Sequence, residues 1–201
     1  MRRIVVATTN PGKLREIEAI LAPLRWEVVP VSAYPGLPEI AEDGASFEEN
    51  ALKKARLTAA FTNEVALADD SGLEVDYLDG APGVYSARFA GEPKDDAANN
   101  IKLLRLLEGV PWERRTARFR CVVAVATPGG RTATAEGACE GYILLEPRGA
   151  GGFGYDPLFY FPEHQKTFAE LPPEVKNRVS HRARALAKIK DVLANLPESE
   201  K

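Results

Sequence analysis

Two carboxylates stand side by side at the end of an apolar run. Val65-Ala66-Leu67-Ala68 is followed directly by Asp69, Asp70, Ser71, Gly72 and Leu73. If the run is a buried strand, its end lies at the rim of a ligand crevice, where open α/β sheets bind their ligands. Extended backbone sends neighbouring side chains to opposite faces, so Asp69 and Asp70 should have different jobs. Such a pair suits Mg²⁺, which takes one or two carboxylates and completes its shell with substrate phosphates and water. The plainer alternative is a solvated acidic turn. A second segment, Thr8-Thr9-Asn10-Pro11-Gly12-Lys13, lies between a β-rich stretch and a helical one. A turn there presents backbone N–H groups and a helix N-terminus to an anion, and Lys13 could reach a phosphate as a point charge. It is not a phosphate-binding loop of the G-x-x-x-x-G-K-[ST] type, and an ordinary strand-to-helix turn would look the same.

Two further segments carry chemistry. In Gly151-Gly152-Phe153-Gly154-Tyr155-Asp156-Pro157 the glycines allow a close backbone approach to a ligand. Phe153 could stack on a base, a contact worth roughly 1–3 kcal/mol. Lys176 to Arg182, K-N-R-V-S-H-R, gathers cationic groups at an expected helix start, where the helix dipole disfavours them; a bound anion or a polar base edge would relieve that. The two histidines, His164 and His181, are far apart in the chain, so no zinc signature exists. No G-x-S-x-G elbow and no cysteine–histidine pairing is present.

The elements that must position these residues follow from periodicity. A strand is predicted at Arg3–Ala7, then a helix on which Leu14, Ile17, Leu21 and Leu24 recur, then a strand at Trp26–Val31. Residues 32–45 read as a loop. Ser46 and Glu49 have capping-box spacing before a helix running to about Phe61. Val65–Asp69 reads as a buried strand ending in an acidic turn, and a third helix is predicted at about Asp95–Leu107. Thr116–Thr127 and Thr132–Leu145 flank Pro128-Gly129-Gly130 as a long hairpin. A short strand is expected at Leu158–Phe161, and a last helix from about Ser180 carries Leu186, Ile189, Leu193 and Leu196 on one face. Early alternation of strands and helices with a later hairpin implies an α/β protein with a mixed sheet. No repeat or linker divides residues 1–201, so one domain is expected, with room for two lobes.

Composition narrows the function class. The net charge is −3 with basic residues scattered among acidic ones, unlike the basic stripe of a nucleic-acid binder, so a free nucleotide is the better anionic partner. Two cysteines, Cys121 and Cys139, are too few for a disulfide framework. No signal peptide and no membrane-spanning run is expected, and the expected location is the cytoplasm. Only the tail, Pro197 to Lys201, reads as disordered.

Taken together, these segments resemble the inosine triphosphate pyrophosphatase family, which removes deaminated purine nucleotides. The resemblance is ordered and spans almost the whole chain: Ala7–Ile17, Ser46–Ala55, Ala68–Gly91, Gly151–Phe159 and Lys176–Leu186. It implies an elongated mixed sheet flanked by helices, two lobes around a central nucleotide cleft, and a homodimer. It implies hydrolysis of ITP, dITP and XTP to the monophosphate and pyrophosphate, with Mg²⁺ as cofactor and Mn²⁺ as a substitute. By resemblance, Thr8, Thr9, Asn10, Pro11, Gly12 and Lys13 bind the triphosphate, and Lys54, rather than neighbouring Lys53, also contacts phosphates. Glu42 and Asp70 resemble the metal ligands, with Asp69 close by. Asp70 also matches the proton acceptor and Ser71 a substrate contact. Phe153, Gly154, Tyr155 and Asp156 would line the base and sugar pocket. Lys176, His181 and Arg182 would hold the nucleotide, the last two at the base. There, a donor pair would bond the 6-carbonyl of hypoxanthine or xanthine and be left unpaired by adenine's amino group.

Two other readings compete. A Maf-type pyrophosphatase would act on pyrimidine or methylated nucleotides; the Ser180-His181-Arg182 segment argues against it. A non-hydrolysing nucleotide sensor would have no use for intact carboxylates at 69 and 70.

Overall fold

The computed structural model describes residues 2–196; Met1 and the tail expected to be disordered lie outside the described residues. Strand β1 (Arg2–Val6) leads into helix α1 (Pro11–Leu21) and strand β2 (Trp26–Pro30). Asn10 caps α1: its side chain accepts from the N–H groups of Gly12 and Lys13, and Pro11 sits at the first helical position, where its missing N–H costs nothing. Helix α2 (Phe47–Thr62) starts at Ser46, whose hydroxyl accepts from Glu49 N–H. It ends at Asn63 in the left-handed conformation, a known cap for asparagine. Then come β3 (Val65–Val75), α3 (Asp96–Leu106, capped by Asp95), and the hairpin of β4 (Thr116–Ala126) and β5 (Thr132–Ile143). Short strands β6 (Phe159–Phe161) and β7 (Lys166–Thr167) precede α4 (Pro173–Val179) and α5 (His181–Ala194).

The strands form one sheet in the order β2-β1-β3-β4-β5-β6-β7. β1 pairs in parallel with β2 and β3, whereas β5–β6 and β6–β7 are antiparallel. The sheet is mixed, as the sequence predicts. Two predicted boundaries are corrected. β3 does not end in an acidic turn at Asp69: it runs on through Asp70, Ser71 and Gly72 to Val75. D-D-S-G is a turn signal only where water solvates the carboxylates, and here protein partners replace water. The Lys176–Arg182 segment is not one helix start either. Lys176 lies in α4, Ser180 is extended, and His181 and Arg182 open α5. β7 and α4 are too short to reveal themselves by periodicity.

The described residues fall into two compact units. The first comprises the chain up to Asp70, Cys121–Gly137 and the chain from His181; the second comprises Ser71–Arg120 and Ala138–Ser180. Each has its own apolar core. In the first, Ile4, Val6, Ile17, Leu21, Leu67, Val123, Leu186 and Ile189 pack together. Gly137 admits α5 to the sheet there: a Cβ at that position would lie 2.3 Å from the carbonyl oxygen of His181 and 2.6 Å from the nitrogen of Ala185. In the second unit, Leu73, Leu103, Leu107, Phe119, Phe159, Phe161 and Phe168 form the core. The rings of Phe119 and Phe159 are 4.5 Å apart and those of Phe159 and Phe168 4.9 Å, within the range of favourable aromatic pairs. Buried Arg115 in this unit donates to the carbonyls of Leu107, Ile143 and Leu144, closing the C-terminal end of α3. Among the described residues no helix is long and apolar enough to cross a membrane.

Candidate active site

Mid-strand placement in β3 gives the two adjacent aspartates opposite surroundings. Asp69 is 1% exposed, a position where an isolated carboxylate would be prohibitively costly. Its Oδ2 accepts from Arg182 Nε at 3.2 Å and Nη2 at 3.1 Å, and lies 3.1 Å from Lys13 Nζ. Buried Cys121 adds its Sγ at 3.9 Å from the same oxygen. Arg182 is in turn paired through Nη1 with Glu16 of α1. Burial pushes the Asp69 carboxyl upward, but Lys13, Arg182 and Lys54 outweigh it and hold it well below the usual carboxylate range. Asp69 is therefore a buried anion near neutral pH.

Asp70 has a milder environment. Its Oδ2 accepts a hydrogen bond, 2.8 Å, from Asn50 Nδ2 of α2. Burial raises its carboxyl; Lys13 and Lys54 lower it, Glu42 raises it, Asn50 lowers it, and it comes to rest at about 6. Such a group exchanges a proton near neutrality. Lys54, also on α2, donates to Glu42 and, at 2.6 Å, to the backbone carbonyl of Asp69. Burial lowers the Lys54 ammonium, but Asp69, Glu42 and Asp70 more than reverse that and keep it charged. The Glu42 carboxyl is raised by burial and lowered further by Lys54 and Lys13, ending below its ordinary value. Lys53 points elsewhere, to Asp43 Oδ1 at 2.6 Å and the carbonyl of Ala41 at 2.9 Å.

The Thr8–Lys13 turn is closed by its own side chains. Thr8 Oγ1 accepts from Asn10 N–H at 3.2 Å, and Asn10 Oδ1 accepts from Gly12 N–H at 2.8 Å and Lys13 N–H at 3.2 Å. Asn10 thus occupies the place an anion would take at the helix N-terminus. Thr9 and Pro11 are exposed.

In the second unit, Asp156 Oδ2 accepts from Phe153 N–H at 3.0 Å and from Lys176 Nζ at 2.6 Å. Both charged groups are almost fully buried. The Lys176 ammonium lies 4.6 Å from the Phe153 ring centroid, a cation–π distance. Gly152 has φ +69, and a Cβ there would come within 2.1 Å of Asp156 Oδ2, so the turn requires glycine on both grounds. α3 grips the next peptide: Gly154 N–H donates to Asp96 and its carbonyl accepts from Asn100, at 2.9 and 3.0 Å. Tyr155 donates its hydroxyl to the Ser86 carbonyl at 2.6 Å. Ser71 is half-buried in β3.

Of the residues predicted from sequence, the first unit gathers Lys13, Glu42, Lys54, Asp69, Asp70 and Arg182, and the second gathers Phe153, Gly154, Tyr155, Asp156 and Lys176. His181 is buried in the first turn of α5. Arg182 is 1% exposed, with its guanidinium on Asp69 and Glu16. Lys13 and Arg182 both meet Asp69 at Oδ2, while Lys54 takes its backbone carbonyl. Glu16 and Asn50 were missed. Glu16 stands three residues after Lys13 and Asn50 four before Lys54, the spacings that bring side chains together on a helix.

Among the described residues no group of three or more His, Cys, Asp or Glu side chains could hold a metal. Glu42 and Asp70, whose charges are close enough to raise Asp70, offer two hard oxygen donors. That set fits Mg²⁺ completed by substrate phosphates and water.

Known proteins resemble this chain over almost its full length. The chain is 62% identical over 194 residues to a dITP/XTP pyrophosphatase of Desulforamulus reducens, covering 96% of both chains. It is 60% identical to one of Geobacter sulfurreducens, covering 96% of this chain and 97% of that one. Its fold matches a HAM1 protein from Coxiella burnetii with a TM-score of 0.87 at 43% identity, over 98% of this chain and 100% of the other. The family model described as "Ham1 family" matches residues 4–192. The chain belongs to the Ham1 family.

Proposed function

We propose that this protein hydrolyses deaminated purine nucleoside triphosphates, ITP, dITP and XTP, to the nucleoside monophosphate and pyrophosphate. The observation that carries the reading is the division of labour between Asp69 and Asp70, within a chain similar over nearly its full length to dITP/XTP pyrophosphatases. Water attacks the α-phosphorus, the bond to the bridging oxygen of the β-phosphate breaks, and pyrophosphate leaves with the bonding electron pair. Asp70 orients that water and takes its proton. Lys13 and Lys54 stabilise the charge developing on the leaving group. Each ammonium has three donors, so one on a carboxylate still has hydrogens to offer a phosphate. Asp69, locked by Arg182, fixes where Lys13 and Lys54 stand. Thr8, Thr9, Asn10 and Gly12 bind phosphate oxygens, with Asn10 giving up its cap as they arrive.

Glu42 and Asp70 would hold a divalent cation, Mg²⁺ or Mn²⁺. Bound there, it supplies charge neutralisation for the phosphates and a lowered pKa for water. Phe153 to Asp156 and Lys176 bind base and sugar, Ser71 contacts the substrate, and His181 donates to the base. The protein works as a homodimer in the cytoplasm. Nothing in the comparisons or the site favours a Maf-type enzyme or a sensor. Pyrophosphate release from ITP, XTP and dITP with Mg²⁺, beside ATP, GTP, TTP and 7-methyl-GTP, tests the reading. Turnover should be confined largely to the first three. Preference for TTP or 7-methyl-GTP, or binding without release, would overturn it.

A further inference from the structure

Glu42 sits in a stretch without regular secondary structure, residues 34–46, yet the segment around it is held at successive points by one helix. Lys53 of α2 takes the carbonyl of Ala41 and the side chain of Asp43, Lys54 takes Glu42, and Glu49 Oε2 accepts from Ala45 N–H at 2.8 Å. The remaining point is Gly44, whose N–H donates to Asn50 Oδ1 at 2.7 Å. The same Asn50 amide donates through Nδ2 to Asp70 at 2.8 Å. Asn50 is 1% exposed. Its orientation follows from its partners: a backbone N–H needs the amide oxygen, and a carboxylate needs the amide nitrogen.

Gly44 completes the device. Its φ is not in the left-handed region, so conformation does not require glycine. Space does, because a Cβ would lie 2.7 Å from Asn50 Oδ1 and 2.9 Å from Glu49 Cβ. Asn50, Lys53 and Lys54 have the helical spacing that puts side chains on neighbouring rows. The segment carrying one proposed cation ligand and the strand carrying the other are therefore tied through one buried amide, beside the Lys54 ammonium that joins Glu42 to the carbonyl of Asp69.

We propose that Asn50 is a positioning residue that sets Glu42 and Asp70 in register for a divalent cation and for the attacking water, with Gly44 as its required neighbour. The proposal rests on the reading of Glu42 and Asp70 given above. Residues that orient metal ligands typically change metal affinity or activity by about 10- to 100-fold when removed.

The test uses the full chain carrying Asn50→Ala or Gly44→Ala, with folding followed by circular dichroism. In metal-free protein, hydrogen exchange at the Gly44 amide should accelerate in Asn50→Ala while amides in the second half of α2 keep their parental rates. Mn²⁺ titrated into the free protein should bind roughly tenfold or more weakly, and kcat for ITP should fall at saturating metal. KM for ITP should stay near the parental value, which a general loss of structure would not allow. Gly44→Ala leaves Asn50 in place but crowds its amide, and should give the same pattern; it carries the test if Asn50→Ala does not fold. Parental Gly44 exchange, Mn²⁺ affinity and kcat in a folded variant would overturn the proposal. Glu42→Gln separates the two ideas. If it binds Mn²⁺ and turns over like the parent, the reading of Glu42 fails; if it loses both while Asn50→Ala keeps both, only the role of Asn50 fails.

Discussion

At the scale of single residues, one backbone step changes the chemistry of a carboxylate. Asp70→Asn keeps the size of the side chain and an acceptor for Asn50. It should lower kcat for ITP by roughly 10²-fold or more with the fold retained. A carboxyl raised by folding from 3.8 to about 6 favours the native state while it stays protonated. Its contribution is complete below about pH 4 and is lost as pH rises through about 6. In metal-free buffer at pH 7.5, Asp70→Asn should therefore unfold at higher urea than the parent, by up to about 3 kcal/mol, with the advantage gone near pH 4. Asp69 has the opposite sign: its stabilisation is present above the ordinary carboxylate value and declines as pH falls below it. Removing Arg182 would take two hydrogen bonds from that buried anion, leaving it Lys13, and would unpair buried Glu16. Arg182→Ala should cost about 3–5 kcal/mol, and in whatever protein remains folded kcat/KM for ITP and ATP should fall by the same factor. A selective loss of ITP turnover would return Arg182 to the base.

At the scale of elements, what matters is how closely helices approach strands. α2 presents Asn50, Lys53 and Lys54 toward the segment bearing Glu42, and the Ser46 cap read from sequence starts that helix, with Glu49 reaching back to the Ala45 N–H. α5 reaches β5 only because residue 137 has no side chain. Gly137→Ala places a methyl against the backbone of His181 and Ala185, which cannot rotate away. A loss of roughly 1–3 kcal/mol or more is expected, measured by urea denaturation. Activity should fall as well, since His181 and Arg182 belong to the same first turn. A variant as stable as the parent would show that α5 can shift freely. The helix periods, the capping residues and the hairpin turn were legible because they are local. The continuation of β3 past Asp70 was not, because the Asp69 carboxylate is matched by Arg182, more than a hundred residues away, and Asp70 by Asn50 of α2.

For the molecule as a whole, activity should require added divalent cation and vanish in excess EDTA. Ca²⁺ should be a poor substitute, since it favours more ligands and looser geometry; full turnover in EDTA would exclude the metal reading. Both cysteines are buried and unpaired with each other. Burial, with the Asp69 charge adding to it, pushes the Cys121 thiol up to about 12, and only the thiolate reacts. Native protein at pH 8 should resist a thiol reagent, and labelling should begin with unfolding; labelling at the rate of a free thiol would contradict this burial.

The sequence by itself determined the fold class, most element boundaries and the segments that carry chemistry, because local periodicity, capping and composition encode them. It also named by residue type the acids and bases that the fold brings together in the candidate site. What only the tertiary structure decided is how those charges are shared. Asp69 and Asp70 are chemically identical in sequence, and their difference arises from cations on α1, α2 and α5 that meet only when the chain is folded. The same is true of Arg182, a donor by composition that distant Asp69 and Glu16 claim, and of Asn50, a polar helix residue whose two partners lie on different segments. Burial multiplies the strength of each such pairing, and no local pattern in the chain records who a buried charge's partner will be.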